Sequence, residues 1–226
     1  MKIYTIRHGE SYSNTGGTVM SYTDMPLTEK GREQARRAGR AMRDTLKTET
    51  PLYVFCSDLM RTQQTAEEFL SQIDRKVEPV VTKDITEMHQ GDLEGMTWDE
   101  RMAKYAHVKT DTGLSEVEIP GGESFQDVKK RSLHFAETCL SGLEEDAVVL
   151  IFSHGLALRI IINTLLGRPD EDVNRFNWLE NTAICELEYD KYAKNGTYRR
   201  LNDCSHLGDL GAEDYTDWGV FCREPY

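Results

Sequence analysis

Residues 147–167, AVVLIFSHGLALRIIINTLLG, join a short apolar run to a polar turn and then to a helical pattern. The first six of these residues are almost continuously Val, Leu, Ile and Phe, which is typical of a strand covered on both faces. The same order recurs in residues 2–11, KIYTIRHGES, and again in residues 52–73, which begin LYVFC. The three units predict strands that alternate with helices, and hence a largely parallel sheet.

The segments between these strands carry helical signals. Apolar residues recur at three- and four-residue intervals over residues 29–47 and 59–73, among charged residues. Such spacing places the apolar side chains on one face of a helix. Ser124 is followed three residues later by Asp127, a capping-box pattern that predicts a further helix starting at that point.

Three other runs read as strands. Residues 77–82, VEPVVT, are a fourth candidate, and residues 183–190 and 196–201 look like a late pair that could form a hairpin. Together with the helices they predict a three-layer α/β/α sandwich with a mostly parallel central sheet. We therefore expect one domain over residues 1–202, with a lid or insert near 97–120.

Residues 203–226 form an acidic C-terminal extension whose composition is typical of a docking segment. Its aromatic residues Tyr215, Trp218 and Phe221 could pack over the core, cover the site or join two subunits, so a homodimer is possible. Cys204 could pair with Cys222, but the five cysteines contain no close CxxC pair, and reduced thiols are the expectation.

The composition limits the partners and the compartment. The chain has 226 residues, with 27 Lys and Arg against 39 Asp and Glu, which gives a net charge of -12. A nucleic-acid-binding protein needs a broad basic surface, so nucleic acid is not expected, whereas a small anion needs only a few converging arginines. No apolar run approaches the length of a membrane span, and the first hydrophobic segment is only IYTI. We expect a cytoplasmic protein without a membrane partner.

Polar residues of unusual type follow each predicted strand. In open α/β sheets, ligands bind outside the carboxyl ends of the strands. The residues at these ends are two arginines, two histidines, a glycine and a carboxylic acid: Arg7, His8, Arg61, Glu87, His154 and Gly155. Such a set is hard to explain as packing, and it has the ingredients of phosphoryl transfer.

Six stretches of the chain carry a family resemblance. They are RHGES (7–11), TDMPLTEKGREQA (23–35), SDLMRTQQTA (57–66), EMHQGDLEGMTW (87–98), PGGES (120–124) and FSHGLALR (152–159). Their order and spacing resemble those of the histidine phosphatase superfamily, which includes cofactor-dependent phosphoglycerate mutases and many small phosphatases. The resemblance covers roughly residues 1–190 and implies a phosphoglycerate mutase-like fold.

The resemblance also implies roles for individual residues. His8 would be the nucleophile that becomes phosphohistidine, and His154 would stabilise the transferred group opposite it. Glu87 would be the general acid and later the general base, while Glu94 in the same loop is expected to be structural. Asn14 matches a phosphate-contacting asparagine, although it could equally be a turn former.

Physical chemistry independently suits these residues to phosphate. The forked donors of Arg7 and Arg61 match phosphate oxygens and stay charged. A nucleophilic His8 must be neutral, and two nearby arginines should lower its pKa. The helix after His154 would aim backbone N–H groups, such as those of Gly155 or Leu156, at the phosphate.

Glu87 has the opposite requirement, because a general acid must carry a proton. The dianionic phosphate of a bound substrate would favour its protonated form. We therefore expect Glu87 to act as an acid mainly in the substrate complex.

Three functions remain open at this point. The favoured one is a histidine-dependent, acid-type phosphatase that hydrolyses a small phosphomonoester without a metal or other cofactor. A mutase would need a second basic cluster, and residues 97–120 carry a net negative charge with no paired arginines. A phosphate- or phosphopeptide-binding module is the non-enzymatic alternative.

The remaining four histidines are expected to be surface residues: His89, His107, His134 and His206.

Overall fold

The structure is a computed structural model that describes residues 1–47, 50–110 and 113–210. Its strands are Lys2–Arg7 (β1), Leu52–Ser57 (β2), Val80–Thr82 (β3), Val148–Ser153 (β4), Ile184–Asp190 (β5) and Asn195–Asp203 (β6). Its α-helices are Tyr12–Thr15 (α1), Glu29–Met42 (α2), Met60–Leu70 (α3), Trp98–Tyr105 (α4), Phe125–Phe135 (α5) and Gly155–Leu165 (α6). A π-helical turn, Ala136–Leu140, extends α5.

The strands form one mixed sheet in the order β3-β2-β4-β1-β5-β6. The first four run parallel, and β5 and β6 pair antiparallel at the other edge. Helices cover both faces, so the α/β fold with a mostly parallel sheet is confirmed. Because β2, β4 and β1 are neighbours in the sheet, their carboxyl ends lie side by side.

Alternate residues of β4 supply the two cores of the molecule. Val149 and Ile151 pack in the core with α5 and α6, whereas Leu150 and Phe152 pack in the core with α2 and α3. A strand between two helical layers buries both of its faces, which explains the near-continuous apolar run of β4.

The predicted elements are present, with shifted boundaries. The helix expected over 29–47 ends at Met42, and the fourth strand shortens from 77–82 to three residues at the sheet edge. The hairpin of β5 and β6 is confirmed, with a bulge in its register. The capping box is confirmed as well, because the Ser124 Oγ accepts from the Asp127 N–H and the Asp127 carboxylate accepts from the Ser124 N–H.

The segment 97–120 packs into the main core instead of standing apart from it. Its apolar residues Val108, Leu114, Val117 and Ile119 are buried in the same cluster as the residues of α5 and α6. These residues are scattered among charges without helical or strand spacing, so the sequence presents them as a polar excursion. A lid movement of this segment stays a prediction.

The start of the C-terminal extension docks on α2. Leu207 is buried, and Arg37 donates from Nη1 to the Leu207 carbonyl and to the Asp209 carboxylate, both at 2.6 Å. The aromatic residues of the extension lie outside the described residues, and so does Cys222. Four cysteines lie within the described residues, and all four are free thiols: Cys56, Cys139, Cys185 and Cys204.

Close backbone packing joins the turn after β1 to α2. A Cβ placed on Gly9 would lie 2.5 Å from the Gly31 carbonyl oxygen, and one on Gly31 would lie 2.0 Å from the Glu10 carbonyl oxygen. Glycine at both positions therefore permits the contact between this turn and the first turn of α2.

Across the described ranges, none of the helices has the length and hydropathy that crossing a membrane requires.

Candidate active site

The four basic residues expected at the strand ends lie together. Arg7 ends β1 and His8 follows it, Arg61 lies in the first turn of α3, and His154 caps α6. Each of the four is at most 5% exposed, and the ring centroids of His8 and His154 are 5.3 Å apart. The sheet order therefore produces the cluster, since three adjacent strands end at this point.

His8 is held in one tautomer. Its Nδ1 lies 2.8 Å from the Gly9 carbonyl oxygen. A carbonyl can only accept, so Nδ1 carries the proton and Nε2 keeps its lone pair. Burial holds the pKa of His8 well below its ordinary value, and the charges of Arg61 and then Arg7 lower it further. The imidazole is therefore neutral, with a nucleophilic nitrogen at Nε2.

His154 has the opposite tautomer. Arg61 donates from Nε to the His154 Nδ1 at 3.2 Å, which leaves the imidazole proton on Nε2, 2.8 Å from the Ser57 Oγ. Burial, followed by the charge of Arg61, keeps the pKa of His154 well below its ordinary value. Ser57 is a site residue that sequence reasoning missed. Its signals in the sequence are its position directly after the apolar run LYVFC and its place at the start of the stretch SDLMRTQQTA.

Arg61 also organises the loop that passes in front of the site. Its Nη2 donates to the Ser21 carbonyl at 2.6 Å and its Nη1 to the Thr23 carbonyl at 3.5 Å. The carboxylate of Glu94 accepts from the N–H groups of Ser21 and Thr23, each at 2.9 Å. Glu94 is therefore structural, as expected, and it fixes the same loop that Arg61 contacts.

Arg7 is oriented by contacts on two sides. Its Nη1 donates to the Leu179 carbonyl at 2.5 Å, and its guanidinium carbon lies 5.1 Å from the centre of the Trp178 ring. A Cβ on Gly155 would lie 3.1 Å from Trp178 and 3.5 Å from the Arg7 Nε. The missing side chain of Gly155 thus lets Arg7 and Trp178 pack against the start of α6.

The carboxylate of Glu87 occupies the N-terminus of α6. Its Oε1 accepts from the N–H groups of Met88 and Ala157 at 2.9 Å, and its Oε2 accepts from the Leu156 N–H at 3.4 Å. The positive end of the helix dipole favours a negative group there. The Leu156 N–H, expected to face phosphate, is directed at Glu87 in this structure. Its role in phosphate binding stays a prediction.

Glu87 reaches this position because its loop is braced from α5. Arg131 donates to the Glu87 carbonyl at 3.1 Å and to the Asp84 carbonyl at 2.9 Å. Its Nε is 2.9 Å from the carboxylate of Glu123, in the PGGES stretch. This stretch therefore positions the proposed acid indirectly, a function that its turn-like sequence does not reveal.

The backbone of His8 is supported from the loop before β5. Asn181 donates from Nδ2 to the His8 carbonyl at 2.9 Å, and the Thr182 N–H donates to the same oxygen at 3.3 Å. Thr182 has a φ of 58°, an uncommon conformation for a β-branched residue. The His206 Nε2 lies 3.0 Å from the Thr182 hydroxyl, and His206 is half-buried where a surface residue is predicted, because the extension docks behind the site.

The remaining candidates are placed as follows. Asn14 accepts from the Ser11 N–H and hydroxyl, both at 3.0 Å, which is the geometry of a turn former, and its contact with phosphate stays a prediction. His107 and His134 are exposed, as expected, whereas His89 is half-buried. Within residues 1–47, 50–110 and 113–210, no three His, Cys, Asp or Glu side chains converge as metal ligands would.

Comparison with known proteins identifies the family of the chain. The family model of the histidine phosphatase superfamily (branch 1) matches residues 3–203. A probable phosphoglycerate mutase, GpmB of Erwinia tasmaniensis, is 31% identical over 220 residues, which are 95% of this chain and 98% of that one. It is thus similar to this chain over nearly the whole length of both proteins.

Solved structures give the same picture. The α-ribazole phosphatase of Shigella flexneri shares 30% identity and a TM-score of 0.74, over 90% of this chain and 97% of that one. YhfR of Bacillus stearothermophilus shares 26% identity and a TM-score of 0.77, over 91% and 98%. The relatives thus include proteins named as mutases and as phosphatases. The chain belongs to the histidine phosphatase superfamily, branch 1.

Proposed function

We propose that the protein is a phosphomonoester hydrolase that acts through a phosphohistidine at His8, with water as the final acceptor. The observation that carries the proposal is the state of His8. It is buried and neutral, its Nδ1–H donates to the Gly9 carbonyl, and its Nε2 lone pair lies beside two arginines and a second histidine. A weakly nucleophilic side chain attacks phosphorus only when the phosphate charge is neutralised, and this cluster supplies that charge.

The first step forms the phosphoenzyme. The Nε2 of His8 attacks phosphorus, the bond from phosphorus to the ester oxygen breaks, and the leaving oxygen takes a proton from Glu87. Oε1 of Glu87 accepts two N–H bonds at 2.9 Å, whereas Oε2 has a single contact at 3.4 Å. Oε2 is therefore the atom that holds the transferable proton.

The second step is hydrolysis. Glu87, now a carboxylate, takes a proton from water, whose oxygen attacks phosphorus while the bond to the His8 Nε2 breaks. Inorganic phosphate leaves, and both residues return to their first state. The Gly9 carbonyl accepts from Nδ1 throughout, which stabilises the positive charge that develops on the imidazole.

Hydrolysis is favoured over transfer to a second anionic substrate by the charges around Glu87. Burial raises the pKa of Tyr22 in this region, and the carboxylate of Glu123 raises it next, with further contributions from Asp58 and Glu87 against the opposing charge of Arg131. Three carboxylates thus raise the pKa of Tyr22 and one arginine, Arg131, lowers it, and Arg131 is itself paired with Glu123. A second phosphate or carboxylate on the substrate would be repelled there.

The described residues of the segment 97–120, which are 97–110 and 113–120, provide no replacement basic cluster. Its buried arginine, Arg101, donates to the Val108 carbonyl at 2.7 Å and to the Thr110 hydroxyl at 3.3 Å, and its guanidinium lies over Trp98. These contacts assign Arg101 to the packing of the segment. Mutase activity remains the second candidate because curated relatives carry that name.

The test is hydrolysis of a panel of phosphomonoesters, beginning with p-nitrophenyl phosphate, in the presence of a chelator. We expect turnover by the wild type, an acid-labile phosphoenzyme after rapid quenching, and loss of both in His8→Ala. The control His134→Ala changes an exposed histidine and should retain full activity. Isomerisation of phosphoglycerate that depends on bisphosphoglycerate would support the mutase instead. Phosphate binding without turnover of any ester would support the binding module.

A further inference from the structure

An exposed tyrosine and a half-buried histidine form an aromatic pair near Glu87. The rings of Tyr22 and His89 have centroids 4.5 Å apart and are tilted by 49°, and Tyr22 is 43% exposed. They come from two segments that already contact the site. Tyr22 lies between Ser21 and Thr23, whose carbonyls Arg61 binds, and His89 follows Glu87 by two residues.

The backbones that carry the two rings are braced. The loop of Tyr22 is held by Arg61 on one side and by the carboxylate of Glu94 on the other. The His89 N–H donates to the Glu123 carboxylate at 2.9 Å, and Glu123 pairs with Arg131. Rings held in this way can contact a ligand with little further loss of conformational freedom.

The place of the pair relative to the proposed chemistry identifies what it would contact. A general acid must lie within hydrogen-bond reach of the oxygen that leaves. The group attached to that oxygen then extends from Glu87 toward the neighbouring rings of Tyr22 and His89. The carboxylates of Glu94 and Glu123 accept from backbone N–H groups beside the two rings, each at 2.9 Å, so this group should not be an anion.

We propose that Tyr22 and His89 form the leaving-group subsite and select phosphomonoesters whose leaving group is a planar ring without negative charge. The proposal rests on the phosphomonoesterase function argued above and names its substrate class. Flat rings stack against aromatic side chains in offset or tilted geometry, whereas a saturated ring of equal size does not.

The test compares benzyl phosphate with cyclohexylmethyl phosphate, which match in size and ester type but differ in planarity. Ethyl phosphate and 3-phosphoglycerate serve as small and anionic references. The wild type should prefer benzyl phosphate by kcat/KM. Tyr22→Ala should lower kcat/KM for benzyl phosphate by roughly 2- to 12-fold, the range expected for one aromatic contact, with little change for ethyl phosphate. Tyr22→Phe should behave like the wild type.

Tyr22→Leu keeps an apolar side chain without a flat ring, and it should lose the same preference as Tyr22→Ala. An equal fall for benzyl and ethyl phosphate in both variants would overturn the subsite while leaving the phosphatase function intact. A wild-type preference for 3-phosphoglycerate would overturn it as well. A wild type that hydrolyses none of the four esters would overturn both proposals.

Discussion

Replacement of Ser57 by alanine should destabilise the fold and disturb the active site together. The Ser57 Oγ accepts from the His154 Nε2 at 2.8 Å and from the Leu59 N–H at 3.3 Å, and both Ser57 and His154 are fully buried. Ser57→Ala leaves two donors without this acceptor. An unsatisfied buried donor costs about 1–3 kcal/mol, and because the second contact is long we expect a total of about 2–4 kcal/mol.

This loss is measurable as a shift in unfolding. For a chain of this size, 1 kcal/mol corresponds to roughly 2–4 °C in Tm, so Ser57→Ala should lower Tm by about 4–16 °C. The control Ser71→Ala removes an exposed hydroxyl that donates to the Glu68 carbonyl, and it should change stability by less than about 0.5 kcal/mol.

The effect on activity follows from the orientation of His154. Arg61 still donates to Nδ1, so the tautomer persists, but the ring loses the contact that fixes its other nitrogen. Misplacement of a positioned group by about 1 Å lowers the rate by up to roughly 100-fold, and we expect kcat of Ser57→Ala to fall within that range. Urea unfolding and steady-state kinetics of the two variants decide the matter. Wild-type stability in Ser57→Ala would refute the assigned hydrogen bonds, and wild-type kcat would refute the positioning role.

Three further changes test other parts of the structure. Below about pH 6.5, the free energy of unfolding should fall by up to about 1.4 kcal/mol per pH unit for each of His8 and His154, because the unfolded chain binds protons that the folded chain excludes. Above that pH the stability that depends on the two neutral rings is fully present. Urea unfolding between pH 7.5 and 5.5 measures the change, and a flat profile would contradict the neutral state of both rings. Glu94→Gln should lower the free energy of unfolding by about 1–2 kcal/mol and raise KM, because an amide accepts at one oxygen where the carboxylate accepts at two. An unchanged stability together with an unchanged KM would rule out the role of Glu94 in holding the loop. Gly31→Ala should lower the free energy of unfolding by about 3 kcal/mol or more, because the new Cβ would lie 2.0 Å from the Glu10 carbonyl oxygen. In the control Gly142→Ala the new Cβ meets no atom within 4 Å, so thermal unfolding should be unchanged.

The fold and the basic cluster are accessible from the sequence for one physical reason. Strands buried on both faces must be apolar throughout, so β1, β2 and β4 stand out as runs, and the residue after each run is known to within a position. Parallel strands place those positions at one edge. Arg7, His8 and His154 lie at such positions, and Arg61 follows in the first turn of the next helix. These residue types indicate the chemistry without any knowledge of distances.

Contacts made by the backbone are not accessible in this way. The Ser21 carbonyl meets Arg61 across 40 residues, and any residue type could supply that carbonyl. The Glu87 carboxylate meets the start of α6 across about 70 residues, a pairing that depends on how the loop after β3 folds. Val108 and its apolar neighbours in the segment 97–120 are likewise unrecognisable, because irregular backbone has no period to place side chains on a face.

These backbone contacts explain how two buried arginines are held in place beside two histidines. The carbonyls of Leu179, Ser21 and Thr23 accept from Arg7 and Arg61, so each guanidinium is fixed by the fold before any phosphate arrives. Fixed positive groups need no reorganisation when charge develops on the transferred phosphate. Burial and the charges of these arginines keep both histidines neutral, and a neutral imidazole is what the proposed nucleophile His8 requires. Burial of two positive charges is unfavourable in itself, and it is the arrangement that the proposed attack on a dianionic phosphate needs.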